Sequence, residues 1–189
     1  MPDIAVNNVR LDLVEQTKVL GVVITSDLKW EANTQYIVTK CNSKVWTIRR
    51  LKKLGASMDD LLDIYCKQIR SLLEYAAPVW NSALTGEDVT ALERVQKIVL
   101  HIILGDEYSS YSSALKTTGL TKLSVRRRKL SLNFAKKAQK NPKFTNWFLP
   151  NPKIGGRIKQ PQFCPAVAKT SRFQKSPICD LINLLNSKS

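Results

Sequence analysis

Two adjacent aspartates, Asp59 and Asp60, are the first residues whose type and spacing could carry chemistry. They lie in the stretch GASMDDLLDIY, residues 55–65. Paired carboxylates in a turn between two apolar strands can hold divalent metal ions for catalysis. Here a helical repeat follows the pair, Ser57 suits a helix N-cap, and Asp60 stands three residues later, as in a capping box. Acidic side chains also stabilise a first helical turn through its dipole. We therefore expect a solvated helix start and not a metal site.

Other side chains that could carry catalysis are few. His101 is the only histidine, it projects to the polar side of a predicted helix, and no nucleophile motif flanks it. The chain has no Walker loop and no G-x-G-x-x-G motif. The four cysteines lack C-x-x-C spacing, which indicates neither a zinc site nor a disulfide framework and is typical of reduced thiols. No apolar run approaches the roughly 20 residues of a membrane span. We expect an intracellular protein, nuclear or cytoplasmic, with no membrane partner.

The charge balance points to a polyanionic partner. Thirty Lys and Arg residues oppose fifteen Asp and Glu residues, a formal net charge of +15. Residues 1–30 carry three basic and four acidic side chains, residues 31–143 twenty and ten, and residues 144–189 seven and one. Such an excess favours nucleic acid over a membrane surface.

Periodicity predicts strands followed by helices. Val9, Leu11 and Leu13 alternate with polar residues, and 19–24 is a β-branched run interrupted by Gly21, where a bend or a close backbone approach is expected. Apolar spacings of three and four predict helices over about 31–54, 58–76, 86–104 and 123–140, with a short helical turn at 112–117. The face predicted for the second helix is Leu61, Tyr65, Ile69, Leu72 and Ala76, before Pro78; that of the fourth is Leu123, Leu130, Phe134 and Ala138.

Basic residues cluster on two of these helices. On the fourth, an acid-free stretch places a basic stripe within a sector of roughly 100°, which favours phosphate contact over a generic basic face. The stripe consists of Lys122, Arg126, Lys129, Lys136, Lys137 and Lys140. On the first helix the basic side chains project around most of the circumference, so they cannot all contact one duplex. Those are Lys40, Lys44, Arg49, Arg50, Lys52 and Lys53. Any of Trp30, Trp46, Trp80 and Trp147 could stack on a base, although packing is the commoner use of tryptophan.

Five blocks in order resemble the part of non-LTR retrotransposon reverse transcriptases, of the jockey/CR1-like group, that follows the catalytic palm. The first, KVLGVVITSDLKW (18–30), is similar to a primer-grip hairpin, K-x-L-G-V, and its D-x-L-x-W link. CNSKVWTIRRLKKLG (41–55) is similar to the first thumb helix. The resemblance extends over about residues 9–186, and its remaining blocks are DDLLDIYCKQIRSLLEYAAPVWNSAL (59–84), LERVQKIVLHIILG (92–105) and LTKLSVRRRKLSLNFAKKAQKNPKF (120–144).

The resemblance implies a mainly α fold. Residues 1–30 would end the palm with the primer-grip β-hairpin, and 31–143 would form a helical thumb-like bundle. For 144–189 the composition itself predicts a proline-rich, basic and mostly disordered tail, with a short amphipathic helix at 179–185. Lys18 and Gly21 would lie at the primer, where glycine permits close approach of the backbone to a phosphate. Arg49, Arg50, Lys52 and Lys53 would border the template–primer cleft.

The resemblance also implies partners. These are RNA or an RNA–DNA duplex, and the palm and fingers of the parent polymerase. That parent would use Mg²⁺ ions held by palm carboxylates, but nothing before Lys18 supplies an aromatic-x-D-D turn. We therefore expect a C-terminal fragment of an RNA-directed DNA polymerase, with no cofactor of its own and no activity in isolation.

Other interpretations remain open. A stand-alone nucleic-acid-binding module would bind RNA–DNA duplex in a salt-dependent manner. A protein–protein interaction module would use apolar helix faces instead. Residues 18–55 also look like a short segment named after AlkB-type tRNA-modifying enzymes. With a single histidine, however, the chain cannot form the H-x-D…H iron triad of a dioxygenase.

Overall fold

Two short antiparallel hairpins precede the helices in the computed structural model, which describes residues 5–7, 9–10, 12–152 and 162–187. This agrees with the predicted mainly α fold that begins with a β-hairpin. The first hairpin is only two residues per strand, and the second aligns Val19 with Val22 and Gln16 with Thr25. The strands are β1 (Ala5–Val6), β2 (Val9–Arg10), β3 (Gln16–Val19) and β4 (Val22–Thr25).

The bend expected at Gly21 is the turn of the second hairpin. Leu20 and Gly21 have φ angles of 47° and 86° and join the two strands. Positive φ at both central residues is the pattern of a type I′ turn, whose twist matches that of paired strands. Glycine adopts this angle without steric cost, whereas a leucine there is uncommon.

Most helices lie where the apolar periodicity predicts them. The longest, α1, begins one residue after Trp30, and α5 begins with a capping box in which Thr85 and Asp88 satisfy each other's backbone N–H groups. Gly119, with a φ of 66°, ends the short helix predicted near 112–117. These four helices are α1 (Glu31–Lys53), α5 (Gly86–Leu104), α6 (Tyr111–Thr118) and α7 (Leu123–Ala138).

The predicted second helix is broken into several pieces. A π-helical segment and a sharp bend divide it, and Pro78 lies in the first turn of the next short helix instead of ending the previous one. The bend occurs at Ala76, which has a φ of 52°. Its pieces are α2 (Met58–Ile64), the π segment (Tyr65–Arg70) and α3 (Ser71–Glu74), and the separate helix α4 (Ala77–Trp80) follows the bend.

The π segment moves the buried face by one residue. Leu61, Tyr65, Ile69 and Leu73 are all fully buried, whereas Leu72, which was predicted to face the core, is half-buried. In an α-helix a strict four-residue repeat drifts by about 40° per step. The wider π turn takes up that drift, so the repeat continues along one line into the core.

The aspartates of the opening motif begin α2, as predicted. The Ser57 hydroxyl accepts a hydrogen bond from the backbone N–H of Asp60 at 3.2 Å and donates one to its Oδ2 atom at 2.6 Å. Asp59 and Asp60 are both exposed. No group of three His, Cys, Asp or Glu side chains comes together as a possible metal site among the described residues. Ser57 is thus the N-cap of α2, and Asp59 and Asp60 lie in its first turn.

The main core lies between α1, the α2–α3 region, α4 and α5, and the start of α7 closes it. Helices α1 and α5 run side by side in the same direction, because Lys52 near the end of α1 contacts Ile103 near the end of α5. Strand β4 packs on the beginning of α1, where Asn33 accepts a hydrogen bond from the Val23 backbone N–H. None of the described helices is long and apolar enough to span a membrane.

The C-terminal segment is more structured than expected over its described residues. The amphipathic helix predicted at 179–185 is present as α9 (Pro177–Asn186), preceded by the short α8 (Ser171–Gln174). Apolar residues of α9 pack against the second half of α7, together with Phe148 and Phe163. The expected boundary at 143–144 therefore crosses a small hydrophobic cluster. Residues 153–161, also assigned to the tail, lie outside the described residues.

This packing predicts an unequal response along α9. Replacement of the buried Leu181 by alanine should lower the free energy of unfolding by about 2–5 kcal/mol, because it leaves a cavity against α7. Replacement of Asn183, which is exposed on the same helix, should change it by less than about 0.5 kcal/mol. Urea denaturation of the two variants measures both values, and equal small effects would contradict the packing.

Candidate nucleic-acid interface

The basic stripe of α7 lies on the side of the helix away from the core. Five of its six predicted members are exposed, and none of the five forms an ion pair with a described residue. The opposite side of α7 carries its buried residues, from Leu123 to Ala138. Fixed on one face and charged on the other, α7 presents a row of cations to solvent. The five are Lys122, Lys129, Lys136, Lys137 and Lys140.

The sixth member, Arg126, has a protein partner. Its guanidinium forms a bidentate ion pair with Glu74 at the end of α3, with Nη2 at 3.0 Å from Oε2. The Glu74 side chain is only 11% exposed, so the pair is shielded from solvent. The hydrogen bond to Glu74 raises the pKa of Arg126. Arg126 thus joins α7 to α3 and is a weaker candidate for phosphate contact than the lysines around it.

The basic residues at the end of α1 form a second surface. Arg49, Arg50 and Lys53 are exposed, as expected for residues that could meet a polyanion. Lys52 differs, because its Nζ atom donates a 2.7 Å hydrogen bond to the backbone carbonyl of Ile103. That carbonyl belongs to the last turn of α5, where a cation is favoured by the helix dipole. Lys52 therefore has a structural role at the end of α5.

The predicted hairpin residues Lys18 and Gly21 lie at the other end of α1. The Lys18 ammonium is 4.6 Å from the ring centroid of Tyr36, and that of Lys40 is 4.9 Å from it. These two cations lower the pKa of the Tyr36 phenol, with Lys18 the larger cause. From Tyr36 to Arg50 the helix rises by about 21 Å. The structure therefore separates the hairpin and the end of α1 instead of bringing them into one site.

The hairpin turn is held by an exposed tyrosine. The Tyr75 hydroxyl donates a 2.9 Å hydrogen bond to the backbone carbonyl of Leu20. Gly21 lies beneath the Tyr75 ring, and its φ of 86° is a backbone angle that favours glycine over residues with a side chain. Glu74, the partner of Arg126, is the preceding residue. The turn and the start of α7 are thus attached to adjacent residues.

Arg127 is the residue whose role the sequence pattern missed. It lies in the acid-free stretch, yet it is fully buried. Its Nε atom donates a 3.0 Å hydrogen bond to Asn81, and its guanidinium lies 5.8 Å from the ring centroid of Trp80. Burial lowers the pKa of Arg127, and neither Nη nitrogen has a hydrogen-bond partner among the described residues. On the helical wheel Arg127 lies 100° from Arg126 and outside the basic stripe, a position that indicates a different environment for its side chain.

A buried polar network links α5 to its neighbours beside this arginine. Tyr65 donates to Gln96, whose amide donates to Tyr111 at 2.7 Å, and Tyr111 donates to Glu93. Glu93 also accepts the backbone N–H of Leu123 at 3.2 Å, which fixes the start of α7. Burial raises the pKa of both phenols. The network thus attaches the first residue of α7 to α5.

His101, Asp59 and Asp60 stay outside these surfaces. His101 is exposed, as predicted, and its ring centroid lies 4.9 Å from that of Tyr108. In comparisons with known proteins, no family model, curated protein or solved structure matches this chain.

The Glu74–Arg126 pair predicts a measurable coupling. In a double-mutant cycle with Glu74→Gln and Arg126→Gln, the coupling free energy for unfolding should be about 1–3 kcal/mol, because the hydrogen bonds are charge-assisted and shielded from water.

The control is the pair of Asp63 and Lys67, which is 2.7 Å apart but exposed on both sides. Its cycle, with Asp63→Asn and Lys67→Gln, should give about 0.3–0.5 kcal/mol. Equal couplings in urea denaturation would show that the Arg126 pair is an ordinary surface contact.

Proposed function

We propose that this chain is the primer-grip and thumb part of a non-LTR retrotransposon reverse transcriptase, and that it contacts a template–primer duplex through phosphate groups. The observation that carries the proposal is the row of five exposed lysines that runs from the N-cap residue Lys122 along α7 to Lys140 just after it, and these have no acidic partner among the described residues. The ordered family-like blocks and the +15 net charge support the same interpretation.

Lysines in a row suit contact with a duplex that must move. Each ammonium is a point charge on a flexible stem, and it attracts phosphates without reading the bases. Because α7 is anchored through Arg126, Arg127 and the Glu93 network, the row keeps a fixed direction relative to the core. Such contacts hold any sequence and weaken steeply as salt rises.

The second hairpin would lie against the primer strand. The turn of Leu20 and Gly21 projects beyond the core, since the Leu20 side chain is 86% exposed, and Tyr75 holds its backbone in place. Lys18, exposed on β3, adds a cation next to the turn. This arrangement supports the role that the K-x-L-G-V resemblance implies, with backbone close to a primer phosphate.

The chemical step would be carried by other residues of the polymerase. DNA synthesis on an RNA template uses divalent metal ions held by palm carboxylates. In this chain the only adjacent aspartates that resemble such a turn, Asp59 and Asp60, begin α2. The contribution proposed for this chain is therefore to bind and position the duplex, with the palm and fingers as its protein partners.

Charge reversal tests this proposal. The double variant Lys129→Glu, Lys137→Glu should weaken binding of a blunt RNA–DNA hybrid. It should also reduce the slope of log K against log salt by about 1–2, because two phosphate contacts are lost and each contributes about 0.7 for a single strand and about 0.9 for B-DNA. Fluorescence anisotropy at several salt concentrations measures both effects.

The matched control is Arg94→Glu, Lys116→Glu, which makes the same change in net charge on exposed residues of α5 and α6. Equal losses in the two double variants would mean that only total charge matters, which would contradict a binding face on α7. A wild-type chain that self-associates and shows no salt-dependent binding would instead support the protein–protein interaction module.

A further inference from the structure

The four tryptophans have very different surroundings. Trp80 is fully buried and donates its indole N–H to the Tyr75 carbonyl at 3.0 Å, so it belongs to the core. Trp30 and Trp147 are half-buried and pack against apolar clusters. Trp46 alone among the four is exposed, with 58% of its surface accessible. An exposed tryptophan in the middle of a long helix is unusual because its burial would be strongly favourable.

Three cations surround Trp46 on the outer face of α1. Arg49, Arg50 and Lys53 follow it by three, four and seven residues, and these spacings place all four side chains on one side of a helix. All three are exposed, and the Arg50 guanidinium lies 5.3 Å from the Trp46 ring centroid. None of them forms an ion pair with a described residue. We call these four residues the Trp46 face.

We propose that the Trp46 face binds single-stranded nucleic acid, with one unpaired base stacked on Trp46 and the flanking phosphates contacted by Arg49, Arg50 and Lys53. This goes beyond the duplex contact proposed for α7, because none of the four residues lies on that helix, although both proposals assign nucleic acid as the ligand. The combination of a stacking ring and cations that track a backbone is what sequence-tolerant single-strand binding requires.

Single strands fit this face better than a duplex or a protein does. In a duplex the bases are already stacked on one another, so a tryptophan ring on an exposed helix can reach only an unpaired base. The core of a protein–protein interface is depleted in charged residues, whereas this tryptophan has three cations within two turns. The Arg50 guanidinium lies over one face of the Trp46 ring, which keeps a positive charge beside a base that stacks on the other face.

The experiment compares Trp46→Ala with Trp46→Phe in the full chain. The probes are a fluorescently labelled 12-nucleotide uridine RNA and a blunt RNA–DNA hybrid, measured by fluorescence anisotropy at fixed salt. Trp46→Ala should weaken binding of the single strand by about tenfold or more, and Trp46→Phe should retain most of the affinity because it keeps an aromatic face. Binding of the blunt hybrid should be unchanged in both variants.

Two further variants separate the causes. Arg50→Gln should weaken single-strand binding and reduce its salt dependence, since one phosphate contact is lost. The control is Lys52→Gln, which removes a cation from the same turn of α1. Because Lys52 binds the end of α5 and does not belong to the Trp46 face, this variant should keep single-strand binding within about twofold of wild type. Circular dichroism and thermal melting confirm that each variant is folded.

Several outcomes would overturn the inference. One is equal affinity of wild type and Trp46→Ala for the single strand, and another is an equal loss for Trp46→Ala and Trp46→Phe. A loss of self-association in Trp46→Ala without any change in RNA binding would make this face a protein contact. The α7 proposal is tested by a different measurement, the binding of the blunt hybrid by the Lys129→Glu, Lys137→Glu variant, so the two proposals can fail independently.

Discussion

The ion pair between Glu74 and Arg126 is the contact on which the arrangement of the charged surfaces depends. It joins the end of α3 to the first turns of α7, and the adjacent Tyr75 holds the turn of the second hairpin. Trp80 contacts both sides of this junction. Its indole N–H donates to the Tyr75 carbonyl, and its ring lies next to Arg127 of α7. A stretch of seven residues, Glu74–Trp80, thereby connects the hairpin, α7 and the core.

The distribution of arginine and lysine follows the chemistry of the two side chains. Arg126 and Arg127 lie at the junction, where planar guanidinium groups make directed contacts with a carboxylate, an amide and an indole ring. The lysines of α7 remain in water, where a hydrated ammonium costs nothing to expose. A basic stretch that looks uniform in sequence is thus divided into residues that hold the helix and residues that remain available to a ligand.

Much of the fold could be predicted because local rules determine it. The limits of α1 and α5 follow from apolar periodicity, and Ser57 and Asp60 follow from capping chemistry. The shift from Leu72 to Leu73 could not be predicted, since a π turn depends on how a four-residue repeat meets the rest of the core. Nor could the partners of Arg126 and Arg127 be predicted, because Glu74 and Asn81 are 46 or more residues away. Of the candidate site, the exposure of the α7 lysines was accessible from the helical wheel, and the role of Lys52 at the end of α5 was not.

The bend at Ala76 has a mechanical consequence. With a φ of 52° at this residue, the chain turns away from the axis of α3 immediately after Glu74 and Tyr75. The Glu74 side chain binds Arg126 of α7, and the Tyr75 side chain binds the hairpin turn at Leu20. The contact that holds α7 and the contact that holds the hairpin turn are therefore one peptide bond apart in the chain, so neither surface is positioned independently of the other.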